Sequence, residues 1–107
     1  MFPKRKPYRN KTYLDYVRAH ACCACLASPP SDPHHFMEGG GGMGTKCDDT
    51  FTVPLCRTCH TEWHSKGVLP ETHSRIESVA LMYQQQAMLL ARWLRLITEA
   101  ATADDVF

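Results

Sequence analysis

The sequence predicts a small α+β protein: a metal-bearing core stapled by a four-cysteine zinc site, followed by a long C-terminal helix. Three observations predict it. Two CxxC pairs, Cys22-x-x-Cys25 and Cys56-x-x-Cys59, stand 30 residues apart. Thr52, Val53 and Leu55 read as a strand leading into two histidines spaced four apart, His60 and His64. Residues 70–101 form a continuous helix-favouring run of Ala, Leu, Met and Gln. At 107 residues the chain has room for one domain and a modest core, a size at which a staple is usual. The predicted organisation is a basic flexible arm over 1–11 and a single domain over 12–107.

Taken in order, the arm comes first. Net charge is only +1 with histidines neutral, yet Lys4, Arg5, Lys6, Arg9 and Lys11 crowd the first eleven residues, with Tyr8 and Tyr13 interleaved. Such an arm suits phosphate contacts with some stacking, and equally suits a solvated tail. No apolar segment follows these charges, so no secretory signal is expected. No stretch approaches the ~18 continuous apolar residues of a membrane span. The expectation is a reduced, cytoplasmic protein without membrane contact. Residues 12–20, TYLDYVRAH, place Tyr13, Tyr16 and Val17 at helical spacing and predict a short helix.

The cysteines follow. A CxxC turn presents two thiolates to one ion, and two such turns complete a tetrahedral sulfur shell that suits Zn²⁺. Cys22, Cys25, Cys56 and Cys59 are the expected ligands. Cys23 is an alternative to Cys22 at a less usual spacing, and Cys47 has no expected metal role. A redox dithiol explains the paired spacing less well. A closed site of this kind holds a fold together and leaves the chemistry to be sought between the two pairs.

That interval contains Asp32-Pro33-His34-His35-Phe36, a glycine tract from Gly39 to Gly44 broken only by Met43, and His60 and His64. On a helix, His60 and His64 share a face and can hold one ion. Gly67 is placed to end that helix. On an extended segment the adjacent His34 and His35 point to opposite sides, so one can face a metal while the other faces a substrate. Imidazole titrates near pH 6.5 and suits a general base. Asp32 could add a carboxylate to such a site, but before a proline it reads first as a turn residue. The glycine tract either lets backbone approach a ligand closely or simply connects two strands.

DPHH, the glycine-rich GGGGMGTK, an aspartate before the strand and VPLCRTCHTEWHSKG together resemble the HNH (ββα-metal) endonuclease superfamily. The resemblance is closest to small phage and prophage HNH proteins, including recombination-enhancement nucleases, and covers about residues 20–67. It implies a ββα-metal core over about 31–67 and metal-dependent hydrolysis of DNA, by nicking or double-strand cleavage. It also implies His34, His60 and His64 as ligands of a catalytic divalent ion and His35 as general base. Asp49 then stands where the family has a central Asn, and Asp48 competes for that position. Three imidazoles favour Zn²⁺, Ni²⁺, Co²⁺ or Mn²⁺ over Mg²⁺, which becomes more reasonable if a carboxylate joins them. Lys46, Arg57 and Lys66 flank the site and are candidates, with the arm, for phosphate contact. DNA is the expected partner, with weak intrinsic sequence specificity and a recombination or phage protein as a further candidate. The alternative is a zinc-dependent DNA-binding module without catalysis.

The last element is the helix over 70–101. Pro70 suits its first turn and Glu71 its dipole. Its predicted packing face is Ile76, Val79, Ala80, Tyr83, Ala87, Leu90, Leu94 and Ile97, widened by Met82, Leu89, Trp93 and Leu96. A homodimer through this helix is the sharper alternative, because so small a core has little area to cover it. The terminal ATADDVF is expected to fray.

Overall fold

A computed structural model describes residues 6–36 and 47–105. In chain order these form α1 (Lys11–Arg18), β1 (Asp32–His35), β2 (Thr52–Leu55), α2 (Arg57–Lys66) and α3 (Arg75–Asp105). Lys4, Arg5, Lys46 and the Gly39–Gly44 tract lie outside the described residues. Among the described residues no helix is long and apolar enough to cross a membrane.

Asn10 starts α1 by accepting the Tyr13 N–H at 3.0 Å, which satisfies one of the unpaired donors of the first turn. Tyr13 and Val17 face inward from it, as their spacing predicted. β1 and β2 pair antiparallel, with Asp32 opposite Leu55, His34 opposite Val53 and His35 opposite Thr52. Every residue of β2 is buried. The outer edge of β2 is also covered, because Cys23 donates its N–H to Pro54 O at 2.9 Å. One core cluster joins Cys22 and Cys59 to Phe36, Val53, Leu55, Leu69 and Met82. Trp93 extends the packed surface towards α1, where its ring lies 5.4 Å from Tyr13 and 5.1 Å from Tyr16.

Three expectations are corrected. The first concerns the arm. Tyr8 donates its N–H to Asp48 Oδ1 at 2.8 Å and accepts the Asp49 N–H at 2.9 Å, and Asn10 N–H reaches Asp49 Oδ2 at 2.7 Å. Residues 8–10 are therefore tied to the segment before β2, and Lys11 already belongs to α1. The second concerns the start of α3, at Arg75 rather than Pro70. Glu71 takes a left-handed φ of 71°, which interrupts any helix through it. The start is set by Ser74, whose Oγ accepts the Glu77 N–H at 3.1 Å while Glu77 Oε2 accepts the His73 N–H at 3.2 Å. This is close to a capping box, S-x-x-E, one turn downstream of the proline, with the glutamate reaching the N–H of the residue before the serine.

The third concerns the face of α3 that packs. Ser78, Met82, Gln86 and Leu89 are buried, with Trp93 half-buried beside them. Most of the predicted face is exposed instead: Ile76, Tyr83, Leu94 and Ile97 all lie open. Met82, Leu89 and Trp93, expected only to widen the face, lie at its centre. Polar residues are admitted because each finds a partner there. Gln86 Nε2 donates to Thr50 O at 2.8 Å, and Ser78 Oγ accepts the Leu69 N–H at 2.9 Å.

Candidate functional site

Two side-chain clusters sit on either side of the first turn of α2. Cys56 is the residue that caps this helix: its Sγ accepts the Cys59 N–H at 3.4 Å. With Cys22 and Cys25 from the loop after α1, these sulfurs form a group whose Sγ atoms all lie within 4.8 Å of one another. None of the cysteines is in a disulfide. Cys25 Sγ and Cys56 Sγ are 3.6 Å apart, close to the ~3.8 Å edge of a tetrahedron with ~2.3 Å metal–sulfur bonds. Burial opposes the Cys22 thiolate, but N–H groups of Cys25, Cys56 and Ala24 outweigh it and bring this thiol down to about 7. Burial and the other three sulfurs push Cys59 far up. Sulfurs this close cannot all ionise without a compensating cation, so the donor set fits Zn²⁺. Cys23 stands outside the group, its thiol pushed up to about 12 by burial, and Cys47 Sγ faces the carbonyls of Phe36 and Phe51.

The second cluster is built from β1 and α2. His60 and His64 project from one side of α2, which ends at Gly67 with φ 69° and its N–H on Trp63 O at 2.8 Å. His34 projects from β1 towards them, and one ring nitrogen from each histidine lies within 4.8 Å of the others. His34 Nδ1 and His60 Nε2 are 3.2 Å apart, near the ~3.3 Å edge of a tetrahedron with ~2.0–2.1 Å metal–nitrogen bonds. Burial, reinforced by His60, His64 and His35, pulls His34 down to about 4, so this imidazole is neutral with a lone pair available at pH 7. Its Nε2, on the other side of the ring from Nδ1, is buried with no hydrogen-bond partner among the described residues. The residues present therefore fit a divalent ion. Arg57, His60, Thr61, His64 and Ser65 line a cleft of about 410 Å³, so the two helix imidazoles open outwards while His34 lies buried behind them.

His35, next on β1, leaves this cluster and points the other way. Its Nε2 lies 2.8 Å from Asp49 Oδ1. Asp49 is buried, which would raise its carboxyl. Hydrogen bonds from His35 and the Asn10 N–H, together with the charges of His35 and Arg9, outweigh burial and hold it below the usual carboxylate range. Asp48 is turned instead to Tyr8 N–H. Of the two aspartates weighed for the central position, Asp49 is the one that meets the histidine.

Asp32, which sequence reasoning weighed as a carboxylate and set aside as a turn residue, is the first residue of β1. Its Oδ2 lies 3.4 Å from His60 Nδ1 and 3.1 Å from Arg57 Nε. It buttresses the ring on the side away from His34, the arrangement in which a carboxylate orients a metal-binding histidine. Its i, i+2 spacing from His34 on one strand face was the available signal. Of the expected phosphate-contacting residues, Arg57 is engaged with Asp32, Lys66 with Glu62 at 2.8 Å, and Arg9 with Cys47 O at 2.7 Å. Lys6 is exposed.

A family model described as "Protein of unknown function (DUF968)" matches residues 1–88. The chain is 45% identical over 67 residues to the Escherichia coli K12 protein YdfU, described as uncharacterized. That similarity covers 62% of this chain and 19% of the relative, so the chain spans about a fifth of YdfU. No solved structure matches.

Proposed function

We propose that this chain, which belongs to the DUF968 family, is a metal-dependent endonuclease of the ββα-metal (HNH) kind that hydrolyses DNA phosphodiester bonds. The observation that carries this reading is the division of labour among four imidazoles. Three converge on one point, two of them lining a cleft, while the fourth, next to His34 on β1, is held by a buried carboxylate. The order β1, β2, α2, with ligands from the first strand and the helix, supports the same reading.

A divalent ion held by His34, His60 and His64 would supply a Lewis acid for a phosphate oxygen and the leaving 3′-oxygen. Three neutral nitrogens suit Zn²⁺, Ni²⁺, Co²⁺ or Mn²⁺ better than Mg²⁺. The proton work falls to His35. The ionised Asp49 can only accept a hydrogen bond, so His35 Nε2 carries the hydrogen and Nδ1 keeps the lone pair. Nδ1 takes a proton from the attacking water, and Asp49 stabilises the imidazolium that results. Arg57, held by Asp32 at the edge of the cleft, is placed to meet a neighbouring phosphate. Cys22, Cys25, Cys56 and Cys59 would hold a structural Zn²⁺, which would fix the start of α2.

The test is plasmid cleavage with Mn²⁺, Co²⁺, Ni²⁺, Zn²⁺ or Mg²⁺ added in turn. His35→Ala is expected to lower the rate by ~10²–10⁴-fold, with the fold and the ion content unchanged. Full activity in His35→Ala would overturn the base assignment. A folded, ion-loaded protein that binds DNA and cleaves with none of these metals would favour a non-catalytic zinc module instead.

A further inference from the structure

We propose that α3 is the interface of a homodimer, in which the exposed stripe of one copy lies antiparallel on the same stripe of a second. This inference stands independently of the nuclease reading.

With about 100° per residue, α3 has three faces. One packs on the core through Ser78, Met82, Gln86 and Leu89. A second is polar and carries Glu77, Gln84, Arg92 and Arg95. The third is apolar along its length and largely open, with Ile76 83% and Leu94 54% exposed, Leu90 half-buried and the Tyr83 ring edge-on to Phe36 at 5.0 Å. Its centre is turned roughly 110° from the centre of the packed face, so it borders the core at Val79 and Tyr83 and leaves its far side to another helix. The open residues recur alternately four and three apart from Ile76 to Ala101, the spacing of a coiled-coil seam.

The sequence of the stripe says what fits it. Large residues occupy one set of seam positions, and the other set is alanine except at Leu94. In a parallel, in-register pair, alanine would meet alanine at 80, 87 and 101 and leave holes between bulky layers. In an antiparallel pair centred between Met88 and Leu89, the layers become Ile76 with Ala101, Ala80 with Ile97, Tyr83 with Leu94, and Ala87 with Leu90. Three of these four layers set a large residue against a small one, which interdigitates at constant helix separation. The stripe is thus complementary to itself when reversed. The contact runs over about 39 Å of helix and, at ~10 Å width, offers on the order of 400 Å² of face per copy. That is the low end of specific interfaces, so the dimer is expected to exchange with monomer at micromolar concentration.

The experiment is sedimentation velocity on the full chain from ~10 to ~500 μM, with circular dichroism and zinc content as controls for folding. The wild type is expected to pass from monomer to dimer across this range. Leu94→Lys is expected to remain folded and to raise the dissociation constant by at least ~100-fold. A wild type that is monomeric throughout, or a dimer indifferent to Leu94→Lys, would overturn the interface. Ala87→Leu separates the two orientations. It overfills the antiparallel layer against Leu90 and is expected to weaken the dimer at least ~10-fold, whereas it fills a hole in a parallel pair. A tighter Ala87→Leu dimer would overturn the antiparallel arrangement.

Discussion

The sulfur cluster and the imidazole cluster share α2, and Cys59 and His60 are consecutive residues, yet their surroundings differ. Four sulfurs stand close enough together to enclose one ion, and Cys22 and Cys59 are themselves part of the apolar core. Three imidazoles would leave a position open, and two of them, His60 and His64, line a cleft together with Arg57. On the proposed reading, a closed shell inside a core would contribute to folding, while an open shell in a cleft would cost stability and be retained for what it can bind. Adjacent positions on one helix would then serve opposite ends.

The comparison breaks most sharply under substitution. Structural zinc in small domains contributes about 10–16 kcal/mol, against about 5–15 kcal/mol for the whole stability of a domain. Cys59→Ser is therefore expected to abolish the helical circular dichroism signal and the thermal transition. His64→Ala is expected to leave both in place and to remove one bound ion per chain by elemental analysis. Unfolding of His64→Ala with a folded Cys59→Ser would invert the assignment.

Acid supplies the next test. His34 lies at about 4 when folded, against about 6.5 when unfolded. Between these values the unfolded chain binds a proton that the folded one does not, so stability falls as pH is lowered through this window. The full loss is about 3 kcal/mol, visible in urea midpoints and absent in His34→Gln. Asp32→Asn is expected to act more gently, weakening ion binding at the imidazoles by ~10–100-fold in calorimetry while leaving zinc in the sulfurs. The smallest effect belongs to Gly67. An added Cβ there meets Arg75 at 3.1 Å and must tolerate φ 69°, so Gly67→Ala is expected to cost about 1 kcal/mol in thermal unfolding.

What could be read from the sequence was local. The CxxC pairs and the i, i+4 histidines are set by turn and helix geometry over a few residues, and the structure brings both sets together. The opposite facing of His34 and His35 follows from strand alternation alone. Contacts between distant segments could not be read this way. Nothing in the composition of the first eleven residues announces that backbone N–H groups at Tyr8 and Asn10 will meet two aspartates about forty positions later. The packing face of α3 was misjudged because two of its faces are apolar, and core shape rather than hydrophobicity selects between them. Its start was misjudged because Pro70 offered a familiar signal while the Ser74–Glu77 box, one turn on, was overlooked.

Cys56 does two jobs: its sulfur belongs to the four-sulfur cluster and also caps α2. The rotational setting of the helix is therefore keyed to the cluster, and His60 and His64 inherit their aim from it. One residue inserted between Cys59 and His60 would turn both rings by about 100° away from His34, although every ligand would still be present. The chain should thus accept length changes between the two CxxC pairs far more readily than a single indel within the stretch Cys56–His64, where spacing works like the teeth of a gear.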